Sequence, residues 1–163
     1  MGRVVDRDEL ARCLEEPRSH GRSIVFTNGC FDLLHIGHVR YLAEARSYGD
    51  LLVVGVNTDA SVRALKGPRR PLIPEAERAE MLAHLATVDF VTLFGEPTAD
   101  ALIEVVRPAI YAKGGDVSLE RVPEAPTVRR LGGTIRIAGK VEEHSTSDIV
   151  ERVLRAYDAA DAA

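Results

Sequence analysis

Two histidines three residues apart, His35 and His38, close a stretch that runs Phe26-Thr27-Asn28-Gly29-Cys30-Phe31-Asp32 and then Leu33-Leu34-His35-Ile36-Gly37-His38. Imidazole N–H groups donate to phosphate oxygens, and Gly29 and Gly37 carry no Cβ, so a ligand can approach the backbone closely. The apolar run Ser23 to Phe26 predicts a strand. Val39, Leu42 and Ala43, at i, i+3 and i+4, predict an amphipathic helix over 37–48 that Gly49 closes. The pair therefore stands at a strand-to-helix junction, where unpaired backbone N–H groups favour an anion. A metal reading fails on ligands: Cys30, Asp32, His35 and His38 find no second Cys or His pair at finger spacing, and Cys13 is remote, so no metal-ligating residues are assigned. The plainer alternative is a satisfied surface pair. The strand, glycine turn and helix around the motif favour phosphate.

Elements that position such a junction follow along the whole chain. Strands are predicted at 23–27, 51–56, 88–93, 109–112 and 134–138, and helices at 37–48, 59–65, 75–86, 98–106, 124–131 and 146–158. Residues 1–22 form a helical lead-in capped by Asp6 with Glu9 three residues on, and the alanine-rich tail 159–163 is expected to fray. Strand and helix alternate, which implies one α/β domain over 1–163, doubly wound and Rossmann-like, with a five-stranded parallel sheet covered on both faces. Leu51 to Val56 is almost wholly apolar, as a strand buried on both faces must be. Ligands of such sheets bind outside the carboxyl ends of the strands, where strand order reverses.

Three further clusters fall at such ends. Arg63, Lys66, Arg69 and Arg70 gather after the second strand without an acidic residue, around Gly67 and two prolines. Arg78 follows near the start of the helix after Pro74, where a cation opposes the helix dipole that Glu75 and Glu77 complement. Lys113-Gly114-Gly115-Asp116 ends the fourth strand. Ser145-Thr146-Ser147-Asp148 opens the last helix, whose Val150, Val153, Leu154 and Tyr157 form an apolar stripe. Ser145 with Asp148 reads first as a capping-box variant, and hydroxyls at a helix start also suit phosphate.

The formal net charge of −4 argues against a nucleic-acid partner that needs a broad basic face, so an anionic ligand must be met by these local clusters. Two cysteines, no apolar leader and no apolar run near 18 residues predict a cytoplasmic chain with no membrane partner. A homodimer is expected on the prior for soluble chains.

Together the motifs cover residues 24 to 154 and resemble the cytidylyltransferase-like nucleotidyltransferases, whose hallmark matches His35-Ile36-Gly37-His38. Within that family the resemblance is strongest to the stand-alone form of the D-glycero-D-manno-heptose 1-phosphate adenylyltransferases, through Thr27 to His38, Asn57 to Val62, Arg70-Pro71, Lys113 to Asp116 and Ser145 to Ser147. It implies His35, His38 and Lys66 as catalytic. It implies Thr27, Asn28, Gly29, Cys30, Phe31, Gly37, His38, Lys113, Gly114, Ser145, Thr146 and Ser147 as nucleotide-binding, and Asp32, Lys66, Arg70, Arg78 and Asp116 as substrate-binding. It also implies ATP and a sugar 1-phosphate as substrates, Mg²⁺ carried mainly by the triphosphate, and a separate sugar kinase upstream. Glu142-Glu143-His144 departs from the family near where relatives bind the base, which leaves the nucleotide less determined than the reaction. A cytidylyltransferase acting on glycerol 3-phosphate or a similar alcohol phosphate, and a non-catalytic nucleotide-binding module, are the alternatives.

Overall fold

The computed structural model describes residues 1–115, 118, 121–139 and 145–158. Six parallel strands form one sheet: β1 (Arg3–Val4), β2 (Ile24–Gly29), β3 (Leu51–Asn57), β4 (Phe90–Phe94), β5 (Ile110–Gly114) and β6 (Thr134–Ala138), in the order β1-β4-β3-β2-β5-β6. The helices are α1 (Arg7–Ser19), α2 (Ile36–Arg46), α3 (Asp59–Lys66), α4 (Glu75–Ala83), α5 (Asp100–Val106), α6 (Ala125–Arg130) and α7 (Thr146–Asp158).

The sheet has six strands where five were expected. The extra one, β1, pairs only Arg3 with Phe90 and Val4 with Val91 at the sheet edge. Two exposed residues carry no alternation to read, so sequence pattern assigns them to the lead-in. The helix after it was legible: Asp6 caps α1 by accepting from the Glu9 N–H at 2.7 Å. Gly49 does not close α2, which ends at Arg46 with Ser47 as its cap. Glycine is required there for another reason, since a Cβ would stand 2.7 Å from the Val25 side chain.

Successive residues of the central strands point to opposite layers. Ile24, Phe26, Leu51 and Val53 pack with Leu10 and Leu14 of α1 and with Leu102, Ile103 and Val106 of α5. Val25, Leu52 and Val54 pack with Leu42 and Ala45 of α2 and Leu82 of α4. Every residue of β3 is buried, which accounts for its unbroken apolar sequence; each such Val or Leu contributes about 1.5–3 kcal/mol. Chain order runs outward from β2 on both sides, through β3 and β4 one way and β5 and β6 the other. The reversal lies between β2 and β5. A crevice opens there at the carboxyl ends.

Candidate active site

The crevice is a cavity of about 900 Å³ whose wall is built from the ends of β2, β3 and β5 and the starts of α2 and α7. Between β2 and α2 the chain turns through two non-glycine residues in the left-handed region, Phe31 (φ 49°) and Leu33 (φ 53°), each costing about 1–3 kcal/mol. Burial of the Phe31 ring offsets this. The ring lies where Gly29 lacks a side chain, a Cβ there falling 3.2 Å from it, and meets His38 edge-on with centroids 5.3 Å apart. His38 in turn stacks on His35 at 3.9 Å.

His35 is the N-cap of α2, its Nδ1 accepting from the Gly37 N–H at 3.1 Å. Nδ1 is thus unprotonated, and the neutral ring carries its proton on Nε2. Burial, and secondarily the neighbouring His35, push the pKa of His38 down to about 4. Its Nδ1 is buried without a hydrogen-bond partner. At neutral pH His38 is therefore an uncharged N–H donor.

This has a measurable consequence for stability. The folded pKa lies below the ordinary value of 6.5, so between the two the unfolded chain binds a proton at His38 that the folded chain refuses. Stability present above pH 6.5 is lost as pH falls towards 4, on the order of 2 kcal/mol of it by pH 5. Urea unfolding at pH 7 and pH 5 should show this loss in the wild type and a smaller one in His38→Asn; equal losses would contradict it.

On the β3 side the cavity is lined by Lys66, at the exposed end of α3, and by Arg70. Asp32 also lines it, yet its carboxylate is fully engaged. Oδ2 accepts from Arg70 at 2.7 Å, and Oδ1 from the N–H groups of Leu72 and Ile73 at 2.9 and 3.0 Å. Burial alone would raise the Asp32 pKa, but these bonds outweigh it and hold the carboxyl below its usual range. The Asp32 carbonyl accepts from the Thr146 hydroxyl at 2.6 Å, which pins the start of α7 to the histidine turn. Ser145 shows the cap foreseen for that helix, its hydroxyl accepting from the Asp148 N–H at 3.2 Å and its own N–H donating to Asp148 Oδ2 at 2.9 Å, and Ser145, Thr146 and Ser147 all line the cavity.

Two of the expected ligand residues stand elsewhere. Arg78 is fully buried and is not part of the cavity wall. Its guanidinium donates to the carbonyls of Ile73 (2.9 Å), Cys30 (2.5 Å) and Asn57 (2.8 Å) and to Asp59 Oδ1 (2.8 Å), so it ties together the segments after β2 and β3 and the one before α4. Thr27 is buried on the α2 face of β2 with its hydroxyl bonded to that of Tyr41.

The opposite wall holds Lys113, Gly114 and Gly115. Asp116 and Glu142 to His144 lie outside the described residues. Lys113 Nζ is 3.1 Å from Asn28 Oδ1, and burial lowers its pKa while Glu124 acts to raise it. Gly29, Gly37 and Cys30 also line the cavity, and burial pushes the Cys30 thiol up, so it stays protonated. Residues that sequence reasoning missed include Arg121, Asn57 and Tyr41. Tyr41 donates to the Ala112 carbonyl at 3.0 Å and packs where a Cβ on Gly114 or Gly139 would come within 3.3 Å and 3.2 Å of it. Arg121 sits in a polar loop that reads as solvated surface. Among the described residues no group of three His, Cys, Asp or Glu is placed to hold a metal, and no helix is long and apolar enough to cross a membrane.

Residues 26–152 match the model of the cytidylyltransferase-like family. The bifunctional protein HldE of Geobacter metallireducens is 50% identical over 155 residues, 95% of this chain and 32% of that protein. HldE of Pseudomonas paraeruginosa is 49% identical over 150 residues, 92% and 32% respectively. The chain thus spans about one third of the length of the curated relatives it matches. Among solved structures, the lipopolysaccharide core biosynthesis protein of Thermoplasma volcanium superposes with a TM-score of 0.62 at 32% identity, covering 72% of this chain and 94% of that one. Pantothenate synthetase from Thermus thermophilus, at 19% identity and a TM-score of 0.59 over 83% and 60% of the two chains, shares the fold.

Proposed function

Since the chain belongs to the cytidylyltransferase-like family, we propose that it joins ATP and a heptose 1-phosphate into an ADP-sugar with release of pyrophosphate. The observation that carries this reading is one cavity, at the reversal of strand order, lined by His35, His38, Lys66, Lys113 and the Ser145–Ser147 helix start. A sugar-phosphate acceptor is supported by Asn57 to Val62 and Lys113 to Asp116, which resemble the heptose members of the family, and by the relation to a lipopolysaccharide core biosynthesis protein. The bifunctional relatives, matched over one third of their length, are consistent with one of two activities residing in this segment.

An oxygen of the sugar phosphate attacks the α-phosphorus in line, the new P–O bond forms, and the bond to the β-phosphate oxygen breaks as pyrophosphate leaves. The attacking oxygen is already ionised at neutral pH, so no general base is needed and catalysis rests on positioning and charge. His35 and His38 donate N–H groups to the α-phosphate oxygens. Lys66 and Arg70 meet the acceptor phosphate, and Lys113 with the Ser145–Ser147 start meets the phosphate chain. Asp32 orients Arg70 and does not touch substrate. It is also the one carboxylate among the described lining residues, and both its oxygens are bonded. That suits Mg²⁺ carried by triphosphate oxygens and water, the coordination this ion prefers, where it would neutralise charge on the phosphate chain.

Competition between heptose 1-phosphate and glycerol 3-phosphate, run with each NTP in turn and read as pyrophosphate release, tests the reading. Heptose phosphate with ATP should lead by orders of magnitude in kcat/KM, because a site built for sugar hydroxyls is left with unpaired polar groups by a three-carbon polyol. A lead for CTP with glycerol 3-phosphate would replace the substrate assignment, and no release from any pair would reduce the protein to a nucleotide-binding module.

A further inference from the structure

Glu124 stands at the N-cap of α6 but makes no capping bond. Its carboxylate turns inward instead and is buried: Oε2, which accepts no hydrogen bond of ordinary length, lies 3.6 Å from Lys113 Nζ, Oε1 receives a long contact from the Ala99 N–H at 3.4 Å, and the carboxylate also acts on the Tyr111 hydroxyl. A buried carboxylate that gives up a cap and keeps one cation as its neighbour is held for that cation. Lys113 Nζ also reaches Asn28 Oδ1 at 3.1 Å, the same oxygen that accepts from the Tyr111 hydroxyl at 2.5 Å. A lysine is donor only, so the Asn28 oxygen must face inward, and both hydrogens of its Nδ2 remain for a ligand in the cavity that Asn28 lines.

We infer that Glu124 is a positioning residue of the nucleotidyl-transfer site: it holds the Lys113 ammonium in the crevice between β2 and β5, and through Lys113 it orients the Asn28 amide as a donor to an anionic substrate. Among the described residues, Glu124 is the carboxylate that acts on the Lys113 charge. Tyr111, which Lys113 covers at 5.0 Å from the ring centre, and Tyr41 are both shifted towards the protonated form, and Arg121 stands on the same cavity wall. Burial is the main cause of the Tyr111 shift, followed by Glu124, with Tyr41 and Asp100 at the start of α5 as lesser influences. Burial disfavours the charged lysine and Glu124 opposes that, so removing the carboxylate should discharge Lys113 at a lower pH.

The inference rests on the nucleotidyl-transfer reading for its kinetic arm alone, and a second readout needs no substrate. In ¹³C-methylated protein, the Lys113 resonance, identified by its absence from Lys113→Arg, should titrate about one pH unit or more lower in Glu124→Gln than in the wild type. The near-isosteric Glu124→Gln retains the fold, and Glu124→Asp, which keeps the charge but withdraws it, should fall between. In kinetics, Glu124→Gln should lower kcat/KM about tenfold and move its alkaline limb down with the lysine. The same change in a Lys113→Met background should do neither. An unmoved lysine titration, or an equal loss of kcat/KM in both backgrounds, would overturn the assignment. Failure to release pyrophosphate with any substrate pair would instead remove the functional reading and leave the titration to decide this one.

Discussion

Replacing His38 by alanine is expected to lower kcat by about 10²–10³ while the protein still folds, because on the proposed reading the change deletes one preorganised donor to the transition-state phosphate. The geometry explains why stability should survive. His38 Nδ1 has no partner to orphan, and what is lost is an edge contact with Phe31 and a stack on His35. His35→Ala should behave differently, since that ring also caps α2 by accepting from Gly37, and the cap adds about 1 kcal/mol of lost stability to the lost rate. Pyrophosphate release and a denaturant midpoint on each purified variant separate the two effects. A His38→Ala enzyme with wild-type kcat would remove that residue from the chemistry.

The second large effect concerns folding. Arg78→Ala should destabilise the protein by about 3–5 kcal/mol, a large share of a typical total of 5–15, because it strips one buried cation from three carbonyls and the Asp59 carboxylate at once. Arg78→Lys should recover little of this: a point-like ammonium cannot span the fork that reaches Cys30, Asn57 and Ile73 together. Urea midpoints decide it. A loss under 1 kcal/mol would return Arg78 to the ligand role that its family position implies.

That contrast marks what is legible in a sequence of this kind. The histidine turn was readable because its determinants are local, a strand, two glycines and a helix start within sixteen residues of Ser23. The parallel sheet was readable from the doubly buried run at Leu51 to Val56. Arg78 was not, since the same residue at the same helical position suits a ligand or a hub. Only the placement of Cys30, Asn57 and Ile73, remote in sequence or in unpatterned loops, decides between them. Thr27 was readable in principle: alternation along β2 puts it on the face of Val25, packed against α2 and buried beneath the strand end. Glu124 resembles any acidic residue near a helix start, and its inward turn depends on a lysine eleven residues earlier on another element.

The engagement of Asp32 bears on redesign. Its carboxylate closes on one arginine and two amides of the 70–73 loop, while its carbonyl receives α7. That loop is therefore not an independent cassette. A graft meant to retarget the enzyme to another acceptor would have to carry its own arginine and a matching pair of backbone N–H groups, or leave the buried Asp32 carboxylate without partners. Transplants that keep Arg70, Leu72 and Ile73 in register and vary only the residues between Lys66 and Arg70 respect that constraint.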